Sequence, residues 1–278
     1  EISERSEKNY TGMLLLASGF GGAIIGLSTI LGGNPNSITA AFLKNTSKFT
    51  FFDWTKIGFP VALFLFFIAY FIFIKIYKVG DEQIKIDSLV EKAKKAKLTS
   101  NQQKVIFIFI PTVLLWVFGG KISSFLRLPP DFYRTEVIGL ASAIVLFAFK
   151  VLEWEDVRKI PWEIFLLLGG GLTLGQILID TGTSSFMAEK VFSIISPLPK
   201  ILVIYIVIIV SIVLANFVNN SSTAIILVPV LINLSSLLGI KRNLLVMTAA
   251  FATAVSPLTP IAIPSFSLIY GTGKVTRK

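Results

Sequence analysis

Long apolar runs separated by short polar intervals organise this chain. The runs at 59–76, 105–120, 135–149, 164–179 and 201–218 each approach the roughly 20 residues that a helix needs to cross a bilayer. Two further apolar stretches are interrupted. Residues 11–43 are broken by GGNPN at 32–36, and a C-terminal stretch is broken by SPLTPIAIPS at 256–265. Gly and Pro in such clusters kink or unwind a helix. The piece 37–43 is too short to span alone, and 244–255 reaches only about 18 Å at ~1.5 Å per residue. The pattern predicts two discontinuous membrane helices, one over 11–43 and one over 243–271. Between the spans, SSFMAEKVFSII puts Met187, Val191, Ile194 and Ile195 on one helical face. That predicts a short amphipathic helix at 183–196, lying along the interface.

One polar cluster falls between two of the most apolar runs, in ANFVNNSSTAIILVPV at 215–230. The sequence predicts one helix over 201–218 and another from about Thr223, with NNSS between. A surface loop between two full spans is one reading. A re-entrant hairpin over 200–238 with a buried tip is the other. The tip has no charge, no Gly and no Pro, which is poor chemistry for an exposed turn. Irregular backbone at membrane depth persists where it is buried in protein or lines a cavity, and a tip facing a broken helix meets that condition for both.

Composition agrees with a polytopic all-α membrane protein: 278 residues, 54% hydrophobic, mean hydropathy +0.77. The net charge of +10 does not indicate nucleic acid, because the basic residues sit between spans. In the interval 79–103 and its flanks, Lys75, Lys78, Lys85, Lys92, Lys94, Lys95, Lys97 and Lys104 outnumber Asp81, Glu82, Asp87 and Glu91. The positive-inside rule places that loop in the cytoplasm. Trp54, Trp116, Trp154 and Trp162 lie near span ends, as interfacial anchors do. The chain has no Cys and no His, and no acid pair within its spans, so an intramembrane enzyme has no nucleophile, base or metal set. Asp180 and Glu163 read as caps or interface residues. Gly169–Gly171 suggest close helix packing.

The polar tip suits an anion together with a small cation. Ser221, Ser222 and Thr223 open a helix whose first N–H groups and positive dipole end favour negative charge. The amides of Asn219 and Asn220 can donate to an anion and accept from a cation's side. Carbonyls freed at Gly32–Gly33 and at 261–263 would supply hard oxygen to Na⁺. Paired interruptions in two separate helices are a pointer to a transporter site built on inverted repeats.

These motifs in this order resemble the divalent-anion/Na⁺ symporter family, the carriers of dicarboxylates, citrate and sulfate. TILGGNPNSITAAFL resembles the family's first broken helix, IPWEIFLLLGGGLTLGQILIDTG its PW…GGG helix, FVNNSSTA a Ser-Asn-Thr hairpin tip, and PLTPIAIPSFSLIYGTG the second broken helix. The resemblance implies an inverted-repeat secondary transporter with a re-entrant hairpin and broken helices, Na⁺-coupled, of elevator type, homodimeric when complete, with no cofactor beyond Na⁺. It implies substrate contacts at Asn219, Asn220, Ser221, Thr223, Pro264, Gly33 and Asn36, and Na⁺ contacts at Asn220, Ala262, Gly32 and Pro260. In domain terms, 1–78 would end the first repeat, 79–103 would be the cytoplasmic loop, and 104–278 would form the second repeat. A first hairpin and a last span, which the resemblance also implies, are not in this stretch, so a fragment or half of a split carrier is expected. The tip reads NNS rather than SNT, and Ile263 and Gly33–Asn34 replace family Thr and Thr-Pro positions. The expected cargo therefore stays broad, with an arsenite or Na⁺/H⁺ type carrier, or a non-transporting half, as alternatives.

Overall fold

In a computed structural model, the protein is described over residues 2–46, 49–77, 98–126, 129, 134–160, 162–256, 259, 264–273 and 275. Every regular element among the described residues is helical. Four helices there are long and apolar enough to span a membrane, Phe51–Ile76, Ser100–Gly120, Lys200–Val218 and Asn220–Leu238; a bent pair over Phe165–Asp180 and Thr183–Ile195 would make a fifth. The protein is an all-α polytopic membrane protein. The lysine-rich interval lies outside the described residues over 78–97.

The chain divides into two compact units, Glu1–Val79 with Glu163–Lys278, and Gly80–Trp162. In the second, α4 (Ser100–Leu126) packs on α5 (Thr135–Ala148), and a short α6 (Trp154–Arg158) follows. The hydroxyls of Thr112 and Ser142 meet at 2.6 Å between α4 and α5, and the Trp116 indole donates to the Thr135 carbonyl at 3.1 Å. Hydrogen bonds of this kind join helices where lipid offers no hydrophobic drive for association. At α6, the Lys159 ammonium hydrogen-bonded to Asp156 holds that exposed carboxyl below its ordinary range.

The first unit holds α1 (Ile2–Gly26), a 3₁₀ turn (Ile30–Gly32), α2 (Asn34–Thr46), α3 (Phe51–Tyr77), α7 (Trp162–Asp180), α8 (Thr183–Ile195), α9 (Lys200–Val218), α10 (Asn220–Leu238), α11 (Arg242–Ala254) and α12 (Pro264–Gly271). Its centre is α10, which packs on α2, α8, α9 and α11. Most of α10 is buried, whereas most of α9 and α3 is not. On α3, Phe64, Phe67 and Phe71 are exposed, as side chains meeting lipid tails would be.

The two broken helices pair in a specific way. α1 packs on α12 and α2 packs on α11. The half before one break thus meets the half after the other, so the two broken helices run alongside each other in opposite order. Phe20 sits edge-on to Phe266 at 4.9 Å. A Cβ on Gly19 would come within 2.6 Å of Ile269 Cδ1, so the glycine permits that crossing.

Several local details differ from the sequence reading. The first break spans 27–33, and Asn34, Pro35 and Asn36 already belong to the first turn of α2, where Pro's missing N–H costs nothing. Of Gly169–Gly171, only Gly171 is at a close contact, against Ile225; Gly169 and Gly170 have no atoms near, and Gly175, against Phe42, is the other close approach. α8 turns 69° from α7 at Gly182, whose φ of +72° is a left-handed value that glycine adopts without strain. Its buried stripe is Ser184, Ala188 and Ile195, while Met187, Val191 and Ile194 stay exposed. On that stripe Ser184 accepts a hydrogen bond from Asn233 of α10, and small residues at such contacts let helices approach closely. Trp54 is not an interfacial anchor: it is 0% exposed, held inside by its indole hydrogen bond to the Leu27 carbonyl.

Candidate functional site

Helices α9 and α10 pack on each other, and the turn between them is one residue long. α9 ends at Val218 and α10 begins at Asn220, leaving Asn219 alone outside helical geometry with φ 108° and ψ 163°. The expected NNSS loop is absent because Asn219 makes the reversal itself. Its N–H donates to the Ala215 carbonyl at 3.1 Å, its Oδ1 accepts from the Ser222 N–H at 2.9 Å, and its carbonyl accepts from Thr223 N–H and Oγ1. Asn219 is therefore the cap of α10. At the other end of the hairpin, Lys200 Nζ donates to the Gly239 carbonyl at 2.8 Å. Gly239, at φ +60°, closes α10 with its own N–H and that of Ile240 bonded back to Ser236 and Ser235. The hairpin is pinned at tip and base.

The tip is docked on the second break. Thr259 N–H donates to Asn216 Oδ1 at 3.0 Å, and Thr259 Oγ1 donates to the Asn216 carbonyl at 3.0 Å. That carbonyl is one a helix end leaves without an internal partner. Asn216 Nδ2 is spent on the Ile212 carbonyl at 2.8 Å. Ser256 Oγ lies 3.5 Å from Asn220 Oδ1 and 2.7 Å from the Thr253 carbonyl. A hydroxyl has one proton, shared unequally between the short contact and the long one. The contact to Asn220 Oδ1 is the longer of the two, and both oxygens lie inside the protein, where Asn220 is 7% and Ser256 1% exposed.

Each expected site residue has a definite place where the structure describes it. Asn219, Asn220, Ser221 and Thr223 are together at the tip; Ser221 and Thr223 are buried. Thr223 Oγ1 is bound to the Asn219 carbonyl, so its hydroxyl serves the helix. Donors of the tip without a hydrogen bond among the described residues include Asn219 Nδ2 and the N–H groups of the first turn at Asn220 and Ser221, which no helix satisfies internally. Pro260 and Ala262 lie outside the described residues. Pro264 opens α12, and its side chain lies outside the description.

Gly32 and Gly33 belong to the first break and Asn36 to the helix turn just after it, and the break is largely closed upon itself. Asn36 Nδ2 donates to the carbonyls of Gly26 at 3.0 Å and Thr29 at 2.9 Å, Ser37 Oγ donates to the Ile30 carbonyl at 2.9 Å, and the Trp54 indole donates to the Leu27 carbonyl at 2.9 Å. Four freed carbonyls thus have side-chain donors. Gly26 and Gly32 touch backbone to backbone, and a Cβ on Gly26 would lie 2.6 Å from the Gly32 oxygen. Asn36 has committed both amide protons, while its Oδ1 is buried without a partner. The group it offers is an acceptor.

Sequence reasoning missed Asn216, Ser256, Thr259 and Trp54. Asn216 carried a usable signal: an amide inside an apolar span, one helical turn before Asn220. Ser256 and Thr259 sit within the quoted SPLTP, but nothing local distinguishes a loop hydroxyl that meets a distant helix end.

Comparison with known proteins decides the class. Residues 1–278 match the family described as the sodium:sulfate symporter transmembrane region. This chain belongs to the sodium:sulfate symporter family. The family is one of transporters, not enzymes. Similar proteins include an uncharacterized transporter of Methanocaldococcus jannaschii, 31% identical over 263 residues (94% of this chain, 57% of the relative). Another uncharacterized transporter, from Haemophilus influenzae, is 27% identical over 99% of this chain and 59% of its own length. A sodium-dependent dicarboxylate transporter of Staphylococcus saprophyticus is 26% identical over 100% of this chain and 56% of its own length. The chain thus spans somewhat over half the length of these symporter-family relatives.

Proposed function

We propose that this chain is part of a secondary transporter that moves a small divalent or carboxylate anion, of the dicarboxylate, citrate or sulfate kind, together with Na⁺. The observation that carries the reading is the docking of the polar tip on the second break, where Thr259 is bonded to Asn216 and the buried oxygens Asn220 Oδ1 and Ser256 Oγ come within 3.5 Å. The Ser256 hydroxyl gives its shorter hydrogen bond to the Thr253 carbonyl, so both oxygens keep lone pairs for a cation. Hard oxygens of this type fit Na⁺, and carbonyls of the 260–263 segment, with Ala262 and Pro260, are the candidates to complete the shell. On the anion side, Asn219 Nδ2 and the first N–H groups of α10 donate, at the positive end of that helix. Asn220 and Ser221 belong to this surface, and Pro264 to the opposite helix end. The dicarboxylate relative named above makes a dicarboxylate the first cargo to test.

In the same reading, Asn36 Oδ1 and the Gly32–Gly33 backbone form the acceptor-rich counterpart at the first break. The opposite-order pairing of α1–α2 with α11–α12 supports an inverted repeat. Elevator movement of the hairpin-bearing unit, a homodimer as the assembled state, and a cytoplasmic 79–103 loop complete the proposal.

The complete transporter containing this chain, reconstituted in liposomes, tests it. Succinate, citrate and sulfate uptake is measured with and without an inward Na⁺ gradient. The expected result is uptake of at least one anion that collapses without the gradient, and loss of it in Asn220→Ala. Gradient-independent behaviour for all three anions would overturn the reading.

A further inference from the structure

We propose that Trp54 is a positioning residue that joins the first helix break to the second, so that it sets how tightly the transport site holds Na⁺; this rests on the Na⁺-symport reading above. Trp54 stands in the first turn of α3, placed there by the reciprocal Thr50–Asp53 cap, in which Thr50 N–H donates to Asp53 Oδ2 at 2.9 Å and Asp53 N–H to Thr50 Oγ1 at 3.2 Å. Its side chain is entirely buried. On one side the indole N–H holds the Leu27 carbonyl, which belongs to the first break. Gly58, one turn further along α3, bears on the same carbonyl: a Cβ there would collide with the Leu27 oxygen. On the other side the indole ring meets Phe251 edge-on, with centroids 5.5 Å apart and planes at 90°.

Phe251 lies in the last turn of α11, whose end carries the second site. The Phe251 carbonyl accepts from Val255 N–H at 3.2 Å, the Thr253 carbonyl accepts from Ser256 Oγ at 2.7 Å, and Ser256 faces Asn220. Trp54 therefore touches a carbonyl of one break and the helix end that aims the other break's oxygen. Both contacts leave little slack: the indole is wholly buried, and α3 approaches the Leu27 carbonyl closely at both Trp54 and Gly58. A shift of the Leu27 carbonyl moves the indole, and the indole moves the turn that orients Ser256. If Trp54 were only a buried cap for a stray carbonyl, its loss would lower stability without changing Na⁺ affinity.

The test uses the complete transporter in proteoliposomes, with external Na⁺ titrated under uptake of an anion that the unaltered protein carries. Trp54→Phe keeps a ring and removes the donor. Gly58→Ala puts a methyl against the same carbonyl, beside the indole nitrogen. Phe251→Leu removes the ring edge. Trp54→Phe and Gly58→Ala should each raise the half-saturating Na⁺ concentration at least threefold while the size-exclusion profile in detergent is kept. The Trp54→Phe/Phe251→Leu double variant should shift it by less than the product of the single effects. Half-saturating Na⁺ within twofold of the unaltered protein in both Trp54→Phe and Gly58→Ala, or single effects that multiply, overturns this inference alone. If Trp54→Phe does not fold, the pair Gly58→Ala and Phe251→Leu decides by the same criterion. An unaltered transporter that shows no Na⁺ dependence sinks the symport reading, and this inference with it.

Discussion

Asn219 gives a prediction in which stability and function should part company. Its φ of 108° with ψ of 163° is a region that glycine occupies freely and other residues reach at a cost of about 1–3 kcal/mol. Asn tolerates it here because the side chain caps Ser222 and the backbone holds Ala215 and Thr223. In Asn219→Gly the strain is relieved, by about 2 kcal/mol. The lost cap costs only a few tenths of a kcal/mol when Gly replaces it, and the extra backbone freedom of Gly costs about 0.5–1 kcal/mol. The balance is a variant at least as stable as the original, by up to ~1 kcal/mol. In Asn219→Ala the strain stays and the cap is lost at about 1 kcal/mol. Thermal unfolding in detergent should therefore rank Gly at or above the natural residue, and Ala below it. Both variants lack Nδ2. A hydrogen bond to a charged group is worth about 1.5–3 kcal/mol, which at ~1.4 kcal/mol per decade means roughly 10- to 100-fold weaker anion binding. Uptake by the well-folded Gly variant should show that loss in its KM. An Asn219→Gly protein less stable than Asn219→Ala would refute the strain argument. One with an unchanged KM would remove Asn219 from the anion site.

Three further outcomes follow from the same geometry. Asn36→Asp keeps the shape but turns donors into acceptors against the Gly26 and Thr29 carbonyls, so it should lower stability by more than ~2 kcal/mol, measured as the loss of folded protein on heating, and more than Asn36→Ser does. Gly32→Ala and Gly175→Ala should each destabilise by about 1–3 kcal/mol, the first by separating the Gly26 backbone and the second by pushing on the Phe42 ring; unchanged melting would refute the close contacts. Asn233 Nδ2 donates to the wholly buried Ser184 Oγ at 3.0 Å, so Asn233→Leu should cost about 1–3 kcal/mol, and most of it should be recovered in Asn233→Leu/Ser184→Ala.

The class of this protein was legible in its hydropathy, because a bilayer demands long apolar helices and tolerates breaks only where protein surrounds them. The GGNPN and SPLTPIAIPS interruptions, the polar NNSST and the hairpin span could all be read on that ground. What each polar group does could not. An amide has donors and an acceptor, and only the neighbours that folding brings up decide which is spent: Asn36 gives both protons to its own break, Asn219 gives its oxygen to a helix end, and Asn216 clasps Thr259 from forty-three residues away. Trp54 makes the same point, since an aromatic near a span end reads as an interfacial anchor until a carbonyl from the preceding broken helix is found against its N–H. Periodicity is local and survives in the sequence, whereas hydrogen-bond partners, the face a glycine opens and the order in which two broken helices pair are set by long-range packing.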